Sequence, residues 1–230
     1  MDKNVTIESQ NQNQIDTYYH RGPVAMGPWT SHIWRSDPRH LGFLLARYKF
    51  CAKMLSCKSD ALEVGCGDAF GVPIVLQEVN SITCIDFEPL VLEEARRNME
   101  LEFADRCNFI EHDILAKPMP RRFDAVYSLD VIEHIPSEKD ELFITNIAAS
   151  LTQDGICIIG TPNIESTSHA SEASQVGHIN LKSAATLRQT LQLHFINVFL
   201  FSMNDEVIHT GYYAMAHYLL GVGCGIRTMK

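Results

Sequence analysis

Several features that would settle a protein's class at once are missing from this chain. Its seven cysteines, Cys51, Cys57, Cys66, Cys84, Cys107, Cys157 and Cys224, form an odd set with no CxxC pair. That spacing argues against a disulfide framework and against a structural zinc site, and leaves buried thiols as the expectation. No apolar run approaches the roughly 18 residues needed to span a bilayer, and the N-terminus MDKNVTIESQNQNQ has neither the basic nor the apolar region of a secretory signal. A cytoplasmic protein is expected. There is no Lys/Arg-rich tract either, and the formal charge is -9. Nucleic acid and anionic membrane therefore have no general electrostatic hold on the chain, and a small polar partner is the easier one. Internal repeats and interdomain linkers are absent as well. At 230 residues with 46% hydrophobic composition, the chain is long enough for one domain with a substantial core.

What is present falls into three stretches. Residues 1–14, rich in Asn and Gln, read as a flexible tail. Residues 15–58 read as an N-terminal arm and helix forming a lid. The arm YYHRGPVAMGPWTSHIWRSDPRH is dense in aromatics, His, Gly and Pro. Leu41, Leu44, Leu45, Tyr48, Ala52 and Leu55 then recur at helical spacing behind the Asp37-Pro38 start signal. Tyr18, Tyr19, Trp29, Ser31 and Trp34 have two readings, as a cover over a ligand site or as an aromatic clamp holding the arm to the core. From residue 59 to 230 the pattern alternates. DALEVG, SITCID, CNFIEHD, RFDAVYSL and GICIIGT read as strands, and GVPIVLQEV, PLVLEEARRNMELEFA and SEKDELFITNIAASL as helices. That alternation predicts an α/β doubly wound, mostly parallel sheet. The closing stretches LHFINVFLFSM and VIHTGYYAMAHYLLGV read as an antiparallel hairpin at one edge, although Ala214 to Leu220 is ambiguous by periodicity.

The first chemical signal is EVGCGDAFG, residues 63–71. Gly65 and Gly67 allow a sharp strand-to-helix turn and close approach of a ligand. The spacing is GxGxxxG, not the GxGxxG of a dinucleotide fold. Asp86 ends the second strand about twenty residues on, where a carboxylate can accept both hydroxyls of a ribose, and Asp113 follows the third. Singly, each reads as a strand-end cap or a solvated carboxylate. Together, at successive strand ends, they fall on one crevice of the sheet. A second signal, SLDVIEHIP, packs Asp130, Glu133 and His134 into five residues after the fourth strand. If a helical turn starts at Asp130, the i+3 and i+4 spacing puts all three side chains on one face.

In order and spacing, LEVGCGDAFG, CIDFEP, EHDIL and FDAVYSLDVIEHIP resemble the motifs of class I S-adenosylmethionine-dependent methyltransferases over about residues 61–161. The resemblance implies a Rossmann-like seven-stranded sheet with an antiparallel C-terminal hairpin, and S-adenosyl-L-methionine as cofactor. Carried over, it places Gly65 and Gly67 under the methionine part, with Glu63 and Asp68 nearby, and counts Cys66 and Leu129 among the cofactor-binding residues. It puts Asp86 on the ribose, Phe87 against the adenine, Asp113 at the adenine amino group and Ile114 on its ring. Within that class, DxxEH is similar to the ExxEH element of metal-dependent O-methyltransferases of the small-RNA 2'-O-methylating and ubiquinone-pathway kinds, with Asp130 standing where those have Glu. His178 in GHINLKS matches their later histidine.

The cluster then has three readings. Asp130, Glu133, His134 and His178 bind a divalent metal, Mg2+ or Mn2+ before Fe2+ or Zn2+, which would lower the pKa of a hydroxyl acceptor. Alternatively His134, with Asp130 beside it, serves as a metal-free general base, or the cluster is structural. The expected protein is an O-methyltransferase acting, as monomer or homodimer, on a small hydroxyl-bearing acceptor such as a sugar, nucleotide sugar or glycan intermediate. An RNA terminal 2'-O-methyltransferase, a metal-independent methyltransferase and a non-catalytic cofactor-binding protein are the alternatives.

Overall fold

The computed structural model describes residues 5–169 and 177–227; residues 1–4 of the polar tail lie outside them. Three helices come first: α1 (Gln12–Arg21), α2 (Pro28–Ser36) and α3 (Arg39–Met54). Helical structure thus begins before residue 14, with a 3₁₀ turn at Ser9–Asn11. The chain then alternates through β1 (Asp60–Val64), α4 (Val72–Val75), β2 (Ser81–Asp86), α5 (Pro89–Phe103), β3 (Cys107–Glu111), β4 (Phe123–Leu129), α6 (Asp140–Ala149) and β5 (Leu151–Pro162). It closes with α7 (Ala184–Gln192), β6 (Phe195–Asn204), β7 (Val207–His209) and β8 (Tyr218–Ile226).

The strands form one sheet in the order β3-β2-β1-β4-β5-β8-β6-β7. β1 to β5 are parallel, and β8 runs antiparallel between β5 and β6. The expected α/β architecture and reversed C-terminal hairpin are both present; the strand count is eight instead of seven. The extra strand arises because VIHTGYYAMAHYLLGV is not continuous. Gly211 and Tyr212 both take positive φ, 80° and 51°, so Val207–His209 pairs briefly with β6 and a separate strand starts at Tyr218. The helix read over GVPIVLQEV holds its α-form only for Val72–Val75 and continues as hydrogen-bonded turns to Val79 before β2.

Side-chain alternation on the strands builds a core on each face. Ala61, Ala125 and Tyr127 pack with Leu55 of the α3 side and with Leu92 and Ala95 of α5. Leu62, Val64 and Val126 pack with Phe143 and Ile147 of α6 and Leu187 of α7. Of the seven cysteines, all free, four are buried and only Cys57 is exposed. The strand order reverses between β1 and β4, so the carboxyl ends of these two strands open the crevice where this architecture binds ligands. Gly65 follows one and Asp130 follows the other. Among the described residues no helix is long and apolar enough to cross a membrane.

Candidate functional site

On the β1–β2 side, the backbone shapes the crevice. Gly65 has φ 75°, and a Cβ there would lie 2.3 Å from Val131 Cγ2. The residue must be glycine both for its conformation and for the Val131 side chain packed on it. This contact brings the segment after β4 against the turn after β1. Gly67 N–H donates to Asp86 Oδ2 (3.0 Å), and Glu88 N–H donates to Asp86 Oδ1 (3.0 Å). The carboxylate at the end of β2 is therefore oriented before any ribose reaches it. Phe87 beside it is 73% exposed, a ring with an open face. Asp113 is exposed and accepts from Leu115 N–H (2.8 Å).

Other expected cofactor residues lie deeper. Glu63 is buried under the turn, where Tyr48 of α3 and Tyr127 of β4 donate to its two oxygens (2.8 and 3.1 Å). Burial pushes this carboxyl up to about 8, against the pull of those hydrogen bonds. Cys66, Ile114 and Leu129 are core residues. Asp68 is likewise buried, and both its oxygens are taken by Thr30 of α2.

On the β4–β5 side, side chains shape the crevice. A 3₁₀ turn at Ile132–His134 follows β4. It buries Glu133 completely, and Glu133 Oε2 accepts from Thr161 Oγ1 of β5 (3.0 Å). Glu133 Oε1 is buried without a partner. His134 Nδ1 lies 2.9 Å from the Gly177 carbonyl. A carbonyl only accepts, so Nδ1 carries a hydrogen, and in the neutral tautomer Nε2 is the nitrogen with the lone pair. The rings of His134 and His178 meet edge to face at 5.1 Å. Glu133, His134 and His178 each offer a ligand atom within 4.8 Å of the others. Burial and the nearby Asp130 push the Glu133 carboxyl up to about 8. Burial, then His134, hold the His178 imidazole below its usual range, and hence neutral. A carboxyl group with one unfilled buried oxygen beside two imidazoles fits a divalent cation with a mixed O/N shell.

Asp130 stands apart from this group. Its backbone is left-handed, φ 58°, and the helical turn starts two residues later, so the shared face expected at i+3 and i+4 does not form. Both its oxygens accept from Arg47 Nη1 (2.9 and 2.8 Å), and the guanidinium lies 3.8 Å over the Tyr218 ring. The structure brings together three of the four expected metal ligands and commits Asp130 to an ion pair.

Four residues of this region, Arg47, Thr161, Asn180 and Tyr218, escaped the sequence reading. Arg47 had a signal, a charge on the apolar stripe of α3 three residues after Leu44. Asn180 had none. Its N–H donates to the Glu133 carbonyl (3.0 Å) and its Nδ2 to the Ile135 carbonyl (2.8 Å), which ties the loop carrying His178 to the turn carrying His134.

Residues 61–155 match the methyltransferase domain family. That match, the sheet order and the glycine turn at the switch point together give the fold of the class I S-adenosylmethionine-dependent methyltransferases. Among curated relatives, the ubiquinone biosynthesis O-methyltransferase of Rickettsia felis is 31% identical over 132 residues, 57% of this chain and 52% of the relative. The mitochondrial ubiquinone biosynthesis O-methyltransferase of Schizosaccharomyces pombe is 27% identical over 84 residues, 36% and 31% respectively. The chain thus spans from a third to about half the length of these relatives. Among solved structures, the methyltransferase domain of bacterial CtHen1-C superposes with TM-score 0.65 at 16% identity, covering 80% of this chain and 98% of that one. The N-methyltransferase NodS from Bradyrhizobium japonicum WM9, in complex with S-adenosyl-L-homocysteine, gives 0.60 at 19%, covering 91% and 98%. At these identities the structures share the fold.

Proposed function

We propose that the protein transfers a methyl group from S-adenosyl-L-methionine to a hydroxyl oxygen of a small polar acceptor, assisted by a divalent cation held by Glu133, His134 and His178. The observation that carries this reading is the convergence of those three side chains on the segment that packs against Gly65 through Val131. The glycine turn and Asp86 receive the methyl donor, and the acceptor enters over β4 and β5. A bound divalent cation supplies Lewis acidity, which lowers the pKa of a coordinated hydroxyl. This chain's residues hold the three ligand side chains in position. Thr161 holds the Glu133 carboxylate, Gly177 fixes the His134 tautomer, and Asn180 keeps the His178 loop in place. The O-methyl assignment is supported by the ubiquinone biosynthesis O-methyltransferases, the first curated relatives. The charge of -9 supports a sugar, nucleotide sugar or other small hydroxyl compound over RNA.

A second reading rests on His134 alone. Its ring is exposed with Nε2 free, the position a metal-free general base requires. Methyl transfer from labelled S-adenosylmethionine to a panel of hydroxyl acceptors, with EDTA and with added Mg2+ or Mn2+, separates the two. The cation reading expects near-complete loss in EDTA and recovery on adding metal. Activity indifferent to EDTA but lost in His134→Ala would establish the base instead.

A further inference from the structure

The short stretch Gly27 to Thr30 touches the glycine turn at three successive points. At Gly27 the backbone, φ 76°, comes so close that a Cβ would lie 2.4 Å from Asp68 Cβ. At Thr30, the N–H donates to Asp68 Oδ2 (2.8 Å) and the hydroxyl to Asp68 Oδ1 (2.9 Å). Thr30 is the third residue of α2, whose own N-cap residue supplies no side-chain hydrogen bond. Asp68 therefore acts as the cap of a helix 38 residues away in sequence, satisfying an end N–H that α2 cannot satisfy itself. Between these two anchors lies Trp29, whose Cδ1 would be 3.0 Å from a Cβ on Gly67.

Gly67 is the residue whose N–H holds Asp86, so the indole and the ribose-type carboxylate flank the same turn. The two anchors and the ring differ in exposure. Thr30 is 1% exposed and Asp68 6%, whereas Trp29 between them is 56% exposed. A clamp that served only to fix the arm would bury the ring along with its neighbours. Here the hydrogen bonds do the fixing, and one face of the indole stays open.

We propose that Trp29 is a cofactor-binding residue: α2, capped by Asp68, holds the indole as a roof over the methionine end of S-adenosylmethionine, beside Gly67. This rests on the cofactor reading above and adds to it the arm that the glycine turn does not itself supply. The arm is then part of the binding site, and the cofactor fills the space under the open ring face.

The chain has only two tryptophans, Trp29 and Trp34, both on α2, which makes the test direct. In the full-length Trp34→Phe protein, Trp29 emission is expected to change on titration with S-adenosyl-L-homocysteine and to saturate at the dissociation constant measured by calorimetry. In Trp29→Phe, Trp34 emission stays flat and calorimetric affinity falls about tenfold, with an unchanged melting temperature. Wild-type heat of binding with a flat Trp29 signal and undiminished affinity in Trp29→Phe would overturn the proposal while leaving the cofactor reading intact. No heat of binding in the folded wild-type protein would overturn the cofactor reading, and this inference with it.

Discussion

The two halves of the crevice are built differently. After β1 and β2 the surface is main chain: Gly65 and Gly67 at positive φ, with Asp86 held by two N–H groups. After β4 and β5 it is side chain: Glu133, His134 and His178 brought together from segments more than forty residues apart, with Asp130 paired to Arg47 of an N-terminal helix. A backbone site is fixed by local conformation and tolerates little change at its glycines. A side-chain site depends on distant loops, so its parts can be removed singly and their effects separated. The two halves should therefore fail in different assays.

The largest effect is expected from emptying the side-chain half. Glu133→Ala or His178→Ala should lower methyl transfer at least a hundredfold, while calorimetric binding of S-adenosylhomocysteine changes less than about threefold, within RT of wild type. Equal loss in both assays would show that the halves are not separable. Next is Gly65→Ala. The added Cβ meets Val131 in a left-handed conformation that costs a non-glycine residue about 1–2 kcal/mol even without a clash. Cofactor binding should weaken by about a hundredfold, and calorimetry checks it.

A subtler effect concerns pH. Burial raises the folded-state Glu63 carboxyl from 4.5 to about 8, so between these values the folded protein holds a proton that the unfolded chain has released. Stability should then decline as pH rises from about 5 to 8, with a limiting slope of about 1.4 kcal/mol per pH unit from this one group. Comparing urea midpoints of wild type and Glu63→Gln across that range isolates it, and parallel curves would contradict the assignment. The smallest effect is expected at Arg47. Removing one partner of a well-buried pair costs about 3–5 kcal/mol, but the Asp130 side chain is 31% exposed, so solvent screening reduces the expected cost of Arg47→Met to about 1–2 kcal/mol. The double variant Arg47→Met with Asp130→Asn should recover part of it in a double-mutant cycle.

The same contrast explains what the sequence revealed. The parallel sheet, the glycine turn and Asp86 follow from patterns contained within a few residues, and they were legible. The extra strand was not, because its existence depends on the conformations of Gly211 and Tyr212. His178 entered through resemblance alone, since no local pattern links it to His134; Asn180, which makes the link, looks like any loop asparagine. Asp130 was misplaced because a shared face presumes an α-helical turn starting there, and the chain instead takes a left-handed residue with a 3₁₀ turn beginning at Ile132. Its partner Arg47 lies 83 residues away, beyond the reach of any spacing rule.

The central claim, that a cation is held by Glu133, His134 and His178 without Asp130, is tested most directly by titrating Mn2+ into the full chain with S-adenosylhomocysteine present, using calorimetry or the paramagnetic resonance of the free ion. Wild type and Asp130→Ala should bind with affinities within about threefold of each other, while His178→Ala should lose at least a hundredfold. Mn2+ binding absent from wild type, or abolished equally by Asp130→Ala and His178→Ala, would contradict the account.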